Sequence, residues 1–171
     1  MFVAKVFEGD DAPKNGKDNP AYPYDVQTFE DQGRDHVPPG VTVDTYNSNP
    51  PTSGPHGPVA PWGVSDVPIP KESAVHNMEH GGVVIWYNCD PQIAPTASRP
   101  FCTLPDQLAE LVQPLVDDGM FILLTPYGGM TEPIALTAWQ NLAALDGFDE
   151  AKIRAFIASF ECKFNPERFC D

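Results

Sequence analysis

Val83-Val84-Ile85-Trp86-Tyr87 is apolar at every position and rich in branched and aromatic side chains. That is the pattern of a strand buried on both faces. Further on, Leu108, Leu111, Val112, Leu115 and Val116 recur at helical spacing. They predict a helix from a Thr103 N-cap, with Pro105 in its first turn and Gly119 at its end. Phe121 to Thr125 reads as a second strand and Pro133 to Trp139 as a third, while Ile153, Phe156, Ile157 and Phe160 mark one face of a last helix starting near Asp149. The order strand, helix, strand, strand, helix predicts an α+β fold, a small mixed or antiparallel sheet with helices on one face.

Before residue 82 the pattern breaks up. Prolines recur from Pro13 to Pro70 among Gly, Asp and Asn, removing backbone donors too often for a regular sheet or a long helix. Tyr22, Tyr24, Phe29, Val41, Val43, Tyr46, Trp62, Val64, Val67 and Ile69 nevertheless supply side chains that can dock on a core. The expectation is one domain: an extension over 1–26, a Pro-rich ordered wrap over 27–82, the α+β core over 83–160 and a disulfide-bonded tail over 161–171. Trp62, Trp86 and Trp139 are expected to serve packing, with Trp62 anchoring the wrap.

One segment of the wrap is helical in pattern. In "PIPKESAVHNMEHGG" Pro70 suits a first turn, Glu72 favours the positive end of the helix dipole, and Gly81 can adopt the left-handed conformation that ends a helix. Helical spacing brings the Cβ atoms of His76 and His80 to about 6 Å, whereas a strand would hold them about 13 Å apart. Met78 then points to roughly the opposite face and joins the histidines only if the segment is extended.

Charge narrows the possible partners. Ten basic against 24 acidic side chains leave a formal charge of -14, which repels nucleic acid and anionic lipid. No stretch approaches the roughly 20 apolar residues of a membrane span, and Met1 to Lys5 do not open a signal peptide, so no membrane insertion is expected. The four cysteines, Cys89, Cys102, Cys162 and Cys170, lie near loops and ends without C-x-x-C spacing. Disulfides and an extracytoplasmic location (periplasmic, cell-surface or secreted) follow.

Three chemistries can be built around the histidines. H-x-x-E-H over 76–80 is the order of inverted zinc peptidases, where Glu79 is the base and a third ligand is needed; Glu110, Asp117 and Asp118 are candidates. Ser53 and His56 in "TSGPH" can approach in a turn, without the elbow or oxyanion nest of a nucleophile site. Alternatively, the histidines at the helix end hydrogen-bond the wrap to the sheet in a structural or protein-interaction module.

"DQGRDHVPPG", "NSNPPTSGPH", "VHNMEHGGVVIWY" and "PIALTAWQNL", in that order, resemble a bacterial family catalogued as domain of unknown function 3105. The resemblance spans roughly residues 27 to 160 and assigns no reaction. It implies proteins that follow a signal peptide or anchor and face outside the cytoplasm, with leucine commoner at the place of Met78. His36, His56, His76 and His80 all fall inside the first three motifs, which points to a shared metal site. His76 and His80 are the first ligands expected, His56 the third, His36 the fourth and Met78 a softer alternative. Neutral imidazoles favour copper or zinc, and a thioether nearby favours Cu(I), so copper is placed ahead of zinc.

Cys89 and Cys102 flank one Pro-rich excursion and Cys162 and Cys170 bracket "KFNPERF", so pairing within each couple is expected. Each bridge is worth about 2–3 kcal/mol through the unfolded chain. Non-reducing peptide mapping should recover these two links; a peptide joining Cys89 to Cys162 or Cys170 would refute them.

Overall fold

A computed structural model describes residues 22–89, 104–164 and 166–170. In chain order the elements are β1 (Gln27–Thr28), β2 (Gly63–Val64), α1 (Lys71–Glu79), β3 (Val83–Asn88), α2 (Asp106–Asp117), β4 (Ile122–Tyr127), β5 (Ile134–Ala138), β6 (Asn141–Leu145) and α3 (Glu150–Phe160). They form an α+β fold around one mixed sheet with strand order β1-β6-β5-β3-β4-β2. β3 is central, parallel to β4 and antiparallel to β5. Because successive side chains point to opposite faces, the burial of Val83 through Tyr87 means that both faces of the sheet are covered here.

Local chemistry accounts for most of these elements. Asp149 caps α3, its carboxylate accepting from the Lys152 amide at 3.1 Å, and Leu108, Leu111 and Val112 form the buried stripe of α2. α2 begins at Asp106 after Pro105; the Thr103 cap expected from sequence lies outside the described residues. Trp86 buries its indole in the centre of the sheet and donates to Thr137 Oγ1 at 2.7 Å.

β6 was not foreseen. It pairs with β5 through a two-residue connection in which Gln140 has φ 64°, a conformation that such turns usually give to Gly or Asn. Tertiary contacts hold Gln140 there: its amide donates to Thr52 O at 3.0 Å, and its side chain donates to Phe29 O at 3.1 Å. The Pro-rich segment thus contributes to the hairpin as well as lying beside it.

α1 ends as the pattern predicts, with Gly81 at φ 91°. Gly82 has a different reason to be glycine: a Cβ there would stand 2.3 Å from Trp62 Cη2 and 2.9 Å from Asn77 O. The indole lies across the Gly82 backbone and meets the Phe121 ring at 5.2 Å between centroids, fastening the segment before α1 to the mouth of β4. Gly82→Ala should therefore cost about 1–3 kcal/mol by overpacking and Trp62→Ala about 3 kcal/mol by loss of the ring. In thermal melts this corresponds to a fall of about 2–4 °C per kcal/mol, and unchanged melting of both variants would refute the anchor.

Candidate metal centre

The site is built where α1 docks on the Pro-rich segment. Asn77, fully buried, accepts from the Ala60 amide at 2.9 Å and donates to the Ala60 carbonyl at 3.0 Å. One turn earlier, Glu72 accepts from the Val43 amide at 2.8 Å, and its own carbonyl takes the Gly57 amide at 3.3 Å. Three loop amides with no strand partner of their own are thereby satisfied by one nine-residue helix.

A parallel bridge then aligns two histidine loops. The Val37 amide donates to His56 O at 2.8 Å and the His56 amide to Asp35 O at 2.9 Å, setting His36 beside His56 with ring centroids 4.7 Å apart. His56 lies 4.7 Å and His36 5.1 Å from the His76 ring. Donor atoms of His36, His56, His76 and Glu79 all lie within 4.8 Å of one another.

Hydrogen bonds fix which nitrogens face inward. His56 Nδ1 lies 2.8 Å from Gly54 O and His76 Nδ1 2.8 Å from Gly57 O. A carbonyl oxygen only accepts, so each Nδ1 carries the hydrogen and each neutral ring presents the lone pair of Nε2. His56 Nε2 stands 3.0 Å from Glu79 Oε2, and His76 Nε2 4.0 Å from the same oxygen. The shorter separation is that of a hydrogen bond but the alignment is not, and neither His56 Nε2 nor Glu79 Oε2 has a hydrogen-bond partner among the described residues. Both side chains are buried, at 0% and 1% exposure. Two acceptor atoms 3.0 Å apart and away from water call for a proton or a cation beside them.

Electrostatics leave that demand standing. Burial, reinforced by the charge of Glu167, raises the Glu79 carboxyl above the usual carboxylate range, against the pull of His76, His36 and Arg34. Arg34 is a weak counterion, its Nε 3.9 Å from Glu79 Oε1 on a side chain 53% exposed. Burial lowers the His56 imidazole, opposed by its bond to Gly54, and also lowers that of His80.

His80 occupies the rim. Its Nε2 meets Glu167 Oε2 at 2.9 Å, and its ring stacks on Phe169 at 4.5 Å with an interplanar angle of 10°. Both partners come from the C-terminal tail, closed by the Cys162–Cys170 disulfide and tied to the end of α1 by the Cys162 amide on Gly81 O at 2.8 Å. His76, Glu79, His80 and Glu167 form a second group of donors within 4.8 Å.

The remaining sequence candidates fall elsewhere. Met78, on the helix, is fully buried in the hydrophobic core. Glu110, Asp117 and Asp118 belong to neither group, and Ser53 Oγ accepts from the Gln32 amide at 3.1 Å while donating to Glu30 O at 3.4 Å. Cys89 is disulfide-bonded, and Cys102 lies outside the described residues. Glu167, Phe169 and Arg34 were not anticipated at the site. Their only sequence signals are the cysteines bracketing Glu167 and Phe169 and the nearness of Arg34 to His36.

Residues 36–170 match the family model described as protein of unknown function (DUF3105). The chain belongs to that family. Comparison with curated proteins and with solved structures returns no match. The region that matches the DUF3105 model includes every donor of both groups, from His36 to Glu167.

The electrostatics give this member a testable pH signature without metal. A Glu79 whose folded pKa is raised binds a proton more tightly folded than unfolded, so its cost to stability grows as pH rises above about 4.3. His56 and His80 act oppositely. Their lowered pKa lets the unfolded chain take up protons first, and stability falls as pH drops below about 6.5. With chelator present, Glu79→Gln should be more stable than the parent by roughly 1–3 kcal/mol near pH 7 and lose that advantage by about pH 4. Thermal melts at the two pH values check this; a variant that melts lower at both would make Glu79 a structural acceptor.

Proposed function

We propose that this protein binds a divalent transition-metal ion outside the cytoplasm, through His36, His56, His76 and Glu79. The observation that carries the reading is the buried pair of acceptors, His56 Nε2 and Glu79 Oε2, 3.0 Å apart and without a hydrogen-bond partner among the described residues. A cation supplies the missing partner to both. The orienting bonds of His56 and His76 to backbone carbonyls are those that metal-ligating histidines commonly make through their second nitrogen.

Three imidazoles and a carboxylate suit Cu(II) or Zn(II), and with the Met78 thioether packed in the core the argument for Cu(I) lapses. Copper stays ahead of zinc because affinity for such donor sets rises to Cu(II) and falls at Zn(II). Glu79 stands among the donors, which speaks against the hydrolase reading, where the glutamate must remain outside the metal shell. The Cys162–Cys170 disulfide supports an oxidising compartment. Among the described residues no helix is long and apolar enough to cross a membrane.

Titration of untagged protein with Cu(II) and Zn(II) should show binding tighter than about micromolar, with Cu(II) displacing Zn(II). His56→Ala should weaken it by more than about 100-fold, beyond the usual effect of an outer-shell change, and Met78→Leu should leave it intact. Folded protein that binds neither ion more tightly than micromolar would overturn the proposal.

A further inference from the structure

The two donor groups share His76 and Glu79 and differ in their other members, His36 and His56 in one and His80 and Glu167 in the other. Resting on the metal reading above, we propose that the cluster is a two-ion centre bridged by Glu79, whose second half is supplied by the disulfide-closed tail.

The division of donors follows from their chemistry. His76 spends Nδ1 on Gly57 O and has one lone pair left, so it serves one ion only. A carboxylate has two oxygens and can serve two, and paired-metal sites hold their ions about 3.5–4 Å apart. The first ion takes His36, His56 and His76, the second takes His80 and Glu167, and Glu79 joins them.

The second half is constructed with the same care as the first. Phe169 fixes the plane of the His80 ring by stacking, and Phe169 itself meets Phe121 at 5.6 Å between centroids. The disulfide closes a loop of sequence separation 8 on which Glu167 is carried, and Arg34 Nη1 donates to Pro166 O at 3.3 Å, pinning that loop across the cluster. His80 Nε2 and Glu167 Oε2, 2.9 Å apart, share one proton. An ion entering there takes the place of that proton, which moves to His80 Nδ1 when the ring is neutral and leaves for solvent when it is an imidazolium. The rim is more open than the interior, Glu167 being 38% exposed, so the second ion should be the weaker and more exchangeable of the two.

The probe is Zn(II) alone, with the full chain kept oxidised and its stoichiometry read by native mass spectrometry and by equilibrium dialysis with elemental analysis. The parent should bind two ions per chain at saturation. Glu167→Gln should retain one, its tight step unchanged and its weak step reduced at least about tenfold. The double variant Cys162→Ser, Cys170→Ser should behave likewise, because it frees the tail without touching a donor of the first ion. With Cu(II) as probe, the parent should show spin coupling in electron paramagnetic resonance that Glu167→Gln lacks. One ion per chain in the parent overturns the two-ion centre and leaves the single site standing; no ion overturns both. Two ions in both parent and Glu167→Gln would show that the tail does not hold the second.

Discussion

The two hydrogen bonds between the Asn77 side chain and the Ala60 backbone are the contact on which the rest of the arrangement depends. A segment so rich in proline has few ways to satisfy its own amides and carbonyls, and leaving them buried and unpaired costs about 1–3 kcal/mol each. α1 answers this with polar side chains on its inner face, Glu72, His76 and Asn77, each taken up by loop backbone. Positioning the loop also positions His56, and through the bridge between residues 36 and 56 it positions His36 as well. The cluster is thus a by-product of how an irregular chain is made to lie on a helix.

That dependence explains what could be read from the sequence and what could not. The helix bearing His76 and His80 was legible because its periodicity and its Pro70 and Gly81 ends are local signals, and β3, β4, β5, α2 and α3 were legible for the same reason. β6 was hidden because "NLAAL" reads as helix and its turn residue is an unremarkable glutamine, held in place by Thr52 and Phe29 from far along the chain. The histidines stood out by their confinement to three motifs. The ring proximity of His36 and His56 depends on a single parallel bridge between two loops, for which no periodicity exists. Glu167 carried no signal beyond the cysteines that bracket it, because one acid among 24 in an acidic chain is invisible until the tail is folded back.

The cluster trades stability for readiness. A buried carboxylate facing a neutral imidazole is a costly pair to fold around, and the exposed Arg34 relieves little of it. The cost is bearable because the surroundings are rigid: Trp62 over Gly82, the fully buried strand β3 and the fastening of Cys162 to Gly81 leave the end of α1 little freedom to relax the charge away. A softer frame would turn Glu79 outward to water.

The bond from Arg34 to Pro166 joins residues 132 apart in the chain. A centre gathered from positions 36, 56, 76–80 and 167 has no local nucleus, and in the unfolded chain only the short run 76–80 keeps its donors together. Contacts of such long range contribute only after the loop-closure entropy of bringing distant segments together has been met. Whatever free energy an ion contributes is therefore withheld from partly folded or truncated chains and granted to the finished one. Closing the cluster therefore requires the disulfide loop that carries Glu167 to have docked on the end of α1.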